Sequence, residues 1–337
     1  MILIDSLYIN NSGGKVLLDY LVNEIEKQNL NAFYLLDQRV SDSYPNIPVE
    51  RKLFLKATFI NRLRFYLEND SLYDIILCFG NVPPPIKVKS KVLTYFHQQL
   101  FLKLPDEVPL FQKTIFYAKS TILGLFKRNT NFWLVQSNQM ADSLVKRYNL
   151  KPNNAKVIPF YPEIISNVVG NIERIANSFV YVSSGSPHKN HIRLLKAFKN
   201  FYDLHKTGVL HLTLSPNSSQ ELFEELKELF NKNYPIINHG FVKREKLYEL
   251  YMSCAFTIYP SLSESFGLGI VEAIECGCNV IGADLPYLYA VCEPSLVFDP
   301  LSVTSISAAM GAAVSGNIKP TKQLINNEIK QLIELLS

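Results

Sequence analysis

The sequence predicts an α/β protein made of two domains, each built on a parallel sheet. Short apolar runs alternate with segments of helical periodicity along the chain, which is typical of strand–helix–strand units. The length of 337 residues favours two domains of roughly 150 residues each. With 47% hydrophobic and 19% charged residues, the chain can form large cores and lacks the composition of a disordered protein.

The first domain is predicted to cover residues 1–165. It opens with a strand at residues 1–4 and continues through a tight loop into a helix at residues 15–28. The loop contains Gly13 and Gly14, and two glycines after a first strand allow a backbone to approach a ligand closely. A plain tight turn is the alternative. The full Gly-x-Gly-x-x-Gly pattern is missing here, which disfavours a dinucleotide site.

His97 follows the next clear strand, Lys91–Phe96, at its carboxyl end. Open α/β sheets bind ligands at that edge, so His97 is a candidate site residue, with a purely structural histidine as the alternative. A further strand at residues 133–136 leads to Ser137, a good N-cap for the helix after it. The five cysteines show no zinc-ligand spacing, and we expect them to be buried and reduced.

The positive charge of the chain lies in the first domain, which holds 20 Lys and Arg against 14 Asp and Glu. No acid occurs in residues 75–105 or 108–141, and both tracts interleave basic with apolar residues. Residues 51–66 are similar but form no clean amphipathic helix on a helical wheel. Such surfaces can contact anionic lipid headgroups and a lipid-linked acceptor, and an ordinary solvated basic face is the alternative.

The chain shows no run of 18 apolar residues, and its start lacks the features of a secretory signal. We therefore expect a cytoplasmic protein, located at the inner face of the membrane if the basic surface binds lipid.

The second domain is predicted to cover residues 166–318. Its first strand, at residues 179–184, leads through the loop Gly185-Ser-Pro-His-Lys-Asn190 into a helix with an apolar face. Lys189 is thereby placed beside a helix N-terminus, where a cation can neutralise a diphosphate. An ordinary solvated lysine is the alternative.

Glu264 and Glu272 carry the strongest functional signal. They lie in the segment Tyr259-Pro-Ser-Leu-Ser-Glu-Ser-Phe-Gly-Leu-Gly-Ile-Val-Glu-Ala-Ile-Glu-Cys-Gly277, which predicts a strand end, a loop and a helix at residues 268–276 closed by Gly277. The helix start attracts phosphate, and nearby carboxylates can accept hydroxyls of a sugar or ribose. The sequence therefore predicts a site for a phosphorylated, hydroxyl-rich ligand, with a solvated helix face as the alternative.

This segment, with its Pro-Ser, Phe-Gly-Leu and Cys-Gly elements, resembles the two-glutamate signature of retaining glycosyltransferases of family 4 (glycosyl transferases group 1). The resemblance is near-continuous from residue 179 to 300 and sparser over residues 1–165. It implies the GT-B fold, two facing Rossmann-like domains with parallel sheets. A C-terminal helix at residues 319–337 would cross back onto the N-terminal domain by the same analogy.

The resemblance also implies roles for individual residues. The donor diphosphate would be stabilised by Lys189 and by the backbone amides around Phe266, Gly267 and Leu268. Glu272 would accept ribose hydroxyls, and the loop with Gly240 and Phe241 would contact the base. Glu264 and His97 would hold the sugar hydroxyls, and Gly13 and Gly14 would face the acceptor and the donor phosphates.

One feature departs from the family pattern. Many members carry an arginine a few residues before the lysine, whereas this chain has Ser184-Gly185-Ser186. We expect His188, Arg193 or backbone amides to replace one phosphate contact.

The interpretation that follows is a retaining glycosyltransferase. It would move a sugar from a nucleotide-diphosphate-sugar donor to a hydroxyl acceptor, a lipid-linked or saccharide intermediate of bacterial surface polysaccharide. No metal is expected, because the chain has no Asp-x-Asp motif for a divalent cation. No other cofactor and no nucleic-acid partner are expected either. A non-catalytic sugar-nucleotide-binding scaffold and another two-domain sugar-nucleotide enzyme remain alternatives.

Overall fold

The chain folds as two α/β units in a computed structural model that describes residues 1–164, 172–215 and 218–337, apart from the side chain of Glu245. Unit 1 comprises Met1–Leu104, Leu110–Pro162 and Asn326–Ser337, and unit 2 comprises Pro105–Pro109 and Glu163–Ile325. The expected domain boundary between residues 165 and 166 lies outside the described residues.

The described residues of unit 1 form a seven-stranded parallel sheet. Its strands are β1 (Ile2–Ser6), β2 (Ala32–Asp37), β3 (Lys52–Leu55), β4 (Ile75–Cys78), β5 (Lys91–Phe96), β6 (Phe132–Val135) and β7 (Ala155–Val157). They lie side by side in the order β3-β2-β1-β4-β5-β6-β7, and Ile2 pairs with both Ala32 and Ile75. All five residues of β1 are buried, as expected for a central strand covered on both faces.

Unit 2 contains a six-stranded parallel sheet and a two-stranded antiparallel one among its described residues. The strands in chain order are β8 (Ile175–Tyr181), β9 (Val209–Leu212), β10 (Ile236–Asn238), β11 (Cys254–Tyr259), β12 (Asn279–Ala283), β13 (Cys292–Glu293), β14 (Leu296–Phe298) and β15 (Lys322–Gln323). The large sheet has the order β10-β9-β8-β11-β12-β14, and β13 pairs with β15. The predicted α/β class with two parallel sheets is thus confirmed.

Helices connect the strands of both sheets. They are α1 (Ser12–Lys27), α2 (Phe59–Asn69), α3 (Leu110–Phe126), α4 (Asn138–Tyr148), α5 (His191–His205), α6 (Gln220–Asn231), α7 (Arg244–Ser253), α8 (Leu268–Glu275), α9 (Pro286–Tyr289), α10 (Val303–Val314) and α11 (Ile329–Leu336). Thr58, Ser137, Ser219 and Ser302 cap α2, α4, α6 and α10 through their hydroxyl groups, which accept a backbone N–H of the first turn. No helix among the described residues combines the length and apolar character needed to cross a bilayer.

Both cores are rich in aromatic side chains. In unit 1, the Trp133 ring stacks on Tyr148 with 6.5 Å between ring centroids. In unit 2, Phe179 lies between Phe201 and Phe256, at 5.5 and 5.4 Å. The five cysteines are buried with free thiols, as the sequence predicted.

Two elements differ from the sequence expectation. Helix α1 begins at Ser12, so Gly13 and Gly14 occupy its first turn instead of a loop. The C-terminal helix begins at Ile329, because residues 322–323 pair with β13 as strand β15. Helix α11 belongs to unit 1, where Asn327 donates hydrogen bonds to Tyr20 and to the carbonyl of Tyr161.

Candidate functional site

Three strand ends of unit 2 are tied together at one edge of its sheet. Asn190, between β8 and α5, has a left-handed φ of 63° and points its side-chain amide at two carbonyls. These are the carbonyls of Pro260 and Pro300, at 3.1 and 2.7 Å, which follow β11 and β14. The backbone N–H of Leu262 also donates to the carbonyl of His188 at 2.8 Å. Parallel sheets bind ligands at this edge, and here it is fixed by hydrogen bonds.

Lys189 and Glu264, which are 75 positions apart in sequence, meet at this edge. Lys189 Nζ lies 2.6 Å from Glu264 Oε1, and the side chains are 16% and 10% exposed. The Tyr181 hydroxyl donates to the carbonyl of Lys189 and contacts Ser261 Oγ at 2.6 Å. A buried tyrosine therefore fixes the backbone of Lys189, and both charges of the ion pair are shielded from most of the solvent.

Gly267 shapes the start of α8. Its φ of 83° is in the left-handed region, and a Cβ there would lie 2.8 Å from Cδ1 of Ile270. The positive φ favours a glycine at this position, whereas the Ile270 side chain could move aside. The N–H groups of Ile270 and Val271 donate to the carbonyl of Gly267, which leaves those of Leu268 and Gly269 at the open end of the helix. Helix α8 ends at Glu275, and Gly277 just beyond it has a φ of 78°, which confirms the predicted left-handed glycine at the end of the helix.

Glu272 lies in the second turn of α8 and is only 4% exposed. Its carboxylate pairs with the guanidinium of Arg244, the first residue of α7. Burial raises the pKa of Glu272, while the charge and hydrogen bond of Arg244 act to lower it. Glu272 thus lies in the first turns of α8, as the sequence predicted, but its carboxylate is buried and has a cationic partner, so the alternative of a solvated helix face is wrong for this residue.

The loop after β10 carries the other two residues assigned to the nucleotide. Gly240 has a φ of 68° with open space around it, and the Phe241 side chain is 81% exposed. His239 stacks on His211 with 5.2 Å between ring centroids and 12° between ring planes. Burial lowers the pKa of His211 to about 4, and the neighbouring His239 adds to the shift. This loop presents flat, uncharged rings, which suit a nucleotide base.

The loop without the family arginine holds no obvious substitute for its charge. Burial lowers the pKa of His188 to about 4, so its ring is neutral at neutral pH. Arg193 donates to Asn190 Oδ1 at 3.0 Å and lies 3.5 Å from Glu107. A Cβ on Gly185 would lie 2.3 Å from Ser218 Oγ, which explains the glycine between Ser184 and Ser186. Backbone amides are the remaining candidates for the missing phosphate contact.

His97 and Gly14 come together in unit 1. A Cβ on Gly14 would already lie 3.1 Å from Cε1 of His97, so glycine makes room for the imidazole. The ring stacks on Phe79, and its Nε2 lies 3.0 Å from the Phe79 carbonyl and 3.5 Å from Asn81 Nδ2. Burial lowers the pKa of His97 to about 4. Gly13, by contrast, has nothing within 4 Å of an added Cβ.

Sequence reasoning missed four participants: Asn81, Tyr181, His211 and Arg244. Asn81 fixes His97 by accepting its backbone N–H at 2.6 Å and has a φ of 70°, which an Asn in Gly-Asn-Val could have suggested. The other three contact the site from separate strands and helices. No local pattern in the sequence identifies such partners.

Comparison with known proteins gives a consistent result. Residues 169–331 match the family model described as glycosyl transferases group 1. An O-antigen chain mannosyltransferase B of Escherichia coli is 31% identical over 131 residues, 38% of this chain and 34% of that protein. An O-antigen chain mannosyltransferase RfbU of Salmonella typhimurium is 26% identical over 225 residues, 64% of this chain and 60% of that protein. The matches thus span about a third to three fifths of these relatives.

Solved structures share the fold over nearly the whole chain. Sucrose-phosphate synthase from Thermosynechococcus elongatus superimposes with a TM-score of 0.70 at 16% identity, covering 94% of this chain and 90% of that one. Anabaena HepE in complex with UDP and glucose gives 0.66 at 13% identity, covering 94% and 89%. WaaG, a glycosyltransferase involved in lipopolysaccharide biosynthesis, gives 0.66 at 14% identity, covering 94% and 90%.

Proposed function

We propose that this protein is a retaining glycosyltransferase, because residues 169–331 match the family model of glycosyl transferases group 1. It moves a sugar from a nucleotide-diphosphate donor to a hydroxyl acceptor, a lipid-linked or saccharide intermediate of bacterial surface polysaccharide. Relatives named as O-antigen mannosyltransferases support this substrate class. The observation that carries the proposal is the shielded Lys189–Glu264 pair beside the start of α8.

The proposed chemistry uses the two charges of that pair separately. Lys189 and the amides around Phe266, Gly267 and Leu268 stabilise the diphosphate as its bond to the anomeric carbon breaks, because negative charge develops on the leaving oxygen. Glu264 accepts hydroxyls of the sugar. The acceptor oxygen bonds to the anomeric carbon on the same face, and the leaving phosphate takes its proton.

The donor is recognised along the same edge of unit 2. Glu272 accepts ribose hydroxyls, with Arg244 holding the carboxylate in position. The Gly240 and Phe241 loop contacts the base, since an exposed aromatic ring offers a stacking surface. In unit 1 we assign His97 to the sugar hydroxyls, and Gly13 and Gly14 to the acceptor and the donor phosphates. No metal enters this scheme.

A non-catalytic sugar-nucleotide-binding scaffold remains the second candidate, because it would keep the same ligand-binding residues. Turnover separates the two. Purified protein is screened by thermal shift against UDP-, GDP- and ADP-sugars, and the stabilising donor is then tested for release of nucleoside diphosphate with saccharide acceptors and lipid extracts.

We expect one donor class to stabilise the protein and to be consumed. Lys189→Ala should lower the transfer rate by about a hundredfold or more, as the loss of a group that stabilises transition-state charge does. Lys199→Ala is the control, since Lys199 on α5 pairs with Asp203 at 2.7 Å in an exposed position. Donor binding without turnover across the acceptor panel would favour the scaffold, and an equal loss in both variants would contradict the role of Lys189.

A further inference from the structure

Helix α3 exposes its apolar side. Among its 17 residues only Ser120 and Leu123 are buried. Six large apolar side chains are between 38% and 79% exposed: Leu110, Phe111, Ile115, Tyr117, Ile122 and Leu125. A surface helix of a globular protein normally has the opposite arrangement, with its apolar stripe against the core.

The six exposed side chains form one stripe. At 3.6 residues per turn, they fall within about 160° of the helix circumference. Lys119 lies just beyond one border of this stripe and Lys113 just beyond the other. The buried Ser120 and Leu123 lie on the opposite side, which faces the core of unit 1. We call the stripe with its two flanking lysines the α3 face.

Neighbouring parts of unit 1 extend the α3 face. Phe126 at the end of α3 stacks on Phe59 of α2, with 5.9 Å between ring centroids, and Phe59 and Ile60 are 48% and 65% exposed. A cavity of about 230 Å³ opens beside Tyr117, lined by apolar side chains and by the cations Lys103 and Arg147. Apolar surface and positive charge thus occur together over two helices and a cavity.

The positive charge around the α3 face indicates which kind of partner it would bind. Residues 108–141 contain no Asp or Glu, while Lys119 and Arg128 are exposed. An isologous contact with a second copy would bring these cations against one another, which is unfavourable. A convex helix with a broad apolar stripe and basic borders suits a lipid surface with anionic headgroups, since apolar burial and electrostatic attraction then act together.

We infer that the α3 face docks onto anionic membrane, with α3 lying in the plane of the headgroups. The inference rests on the proposed function, because docking would bring the protein to a lipid-linked acceptor at the membrane surface. It assigns the contact to α3 and the start of α2, not to the exposed lysines at positions 87, 89 and 91 that precede and begin β5.

The test is co-sedimentation of the full chain with phosphatidylcholine vesicles, with and without phosphatidylglycerol, in the absence of donor and acceptor. We expect binding to the anionic vesicles that weakens as salt rises. Phe111→Gln combined with Leu125→Gln should reduce it by about tenfold or more, because two of the three most exposed apolar side chains of the stripe are lost. Leu204→Gln, at a position that is 77% exposed on α5, is the matched control and should leave binding unchanged.

A second pair of variants locates the charge. Lys119→Gln with Arg128→Gln should weaken binding by about fivefold per cation, and more than the triple replacement of Lys87, Lys89 and Lys91 by serine. Equal losses in the two sets would overturn the assignment to α3. So would wild-type protein that ignores anionic vesicles at low salt, or a dimer that Phe111→Gln with Leu125→Gln abolishes. Thermal shift with the sugar nucleotide, measured on the same variants, separates a failed docking surface from a failed donor site.

Discussion

Replacing Glu264 by glutamine should tighten nucleoside diphosphate binding while it slows sugar transfer. In the wild-type protein the Lys189 ammonium is held at 2.6 Å by the Glu264 carboxylate, in a position where both side chains are more than four fifths buried. A diphosphate must therefore share the lysine with this carboxylate and also approach a negative charge. The amide of glutamine has the same shape but no charge.

The size of the effect follows from the contact. A hydrogen bond to a charged group contributes about 1.5–3 kcal/mol, which corresponds to roughly ten- to hundredfold in affinity. Glutamine can still accept a hydrogen bond from Lys189, so we expect the lower end, about tenfold. The transfer rate should fall, because the amide oxygen is a weaker acceptor for the sugar hydroxyls than a carboxylate.

Isothermal titration with UDP, GDP and ADP measures the affinity, and donor turnover measures the rate. Glu293→Gln is the matched control, because Glu293 pairs with Lys322 at 3.2 Å but both side chains are more than 60% exposed. It should leave affinity unchanged. If Glu264→Gln weakens diphosphate binding or leaves it unaltered in a folded protein, the argument that the two anions compete for Lys189 is refuted.

Three further outcomes can be checked. Glu272→Gln should lower nucleotide affinity by about tenfold. It should also lower the free energy of unfolding, by less than the roughly 3–5 kcal/mol of a fully buried pair, since Arg244 is 27% exposed. Calorimetry showing unchanged donor affinity would remove Glu272 from the site. Burial lowers the pKa of His97 from its ordinary value of 6.5 to about 4. Below pH 6.5 the unfolded chain therefore binds more protons at this residue than the folded protein does. Stability should therefore decline from pH 6.5 towards pH 4, by about 3 kcal/mol from His97 at the lower limit, and denaturant titrations should show a shallower decline in His97→Asn. Transfer activity should persist in excess EDTA, because Lys189 and the start of α8 balance the diphosphate charge; activity lost in EDTA and restored by Mn²⁺ would contradict the metal-free assignment.

Local signals in the sequence were sufficient for the elements that carry the motifs. Strand Lys91–Phe96 is an apolar run with clear borders, and its observed bounds equal the predicted ones. The start of α8 and its Gly277 cap also follow from residue types at fixed offsets. These features depend on a few neighbouring residues, which is why a single sequence predicts them.

Other features depend on contacts between distant segments. The Arg244–Glu272 pair joins two helices, and nothing in either segment indicates the other. Residues 51–66 gave no clean helical wheel because they contain both strand β3 and the start of α2, whose periodicities differ. The lack of acidic residues in 108–141 was visible in the sequence. The exposure of the α3 face was not, because exposure depends on which other segments pack against a helix.

The position of α11 in unit 1 has a consequence for synthesis of the chain. Leu332, Ile333 and Leu336 are almost fully buried, and they belong to the unit that contains the first strand. The ribosome synthesises these residues only after the whole of unit 2. Until then an apolar surface of unit 1 stays exposed, whereas unit 2 can complete its own fold as it emerges. The order of folding would then reverse the order of translation, unlike the usual N-terminal-first sequence. Nascent chains halted before residue 326 should therefore bind chaperones that recognise apolar surface.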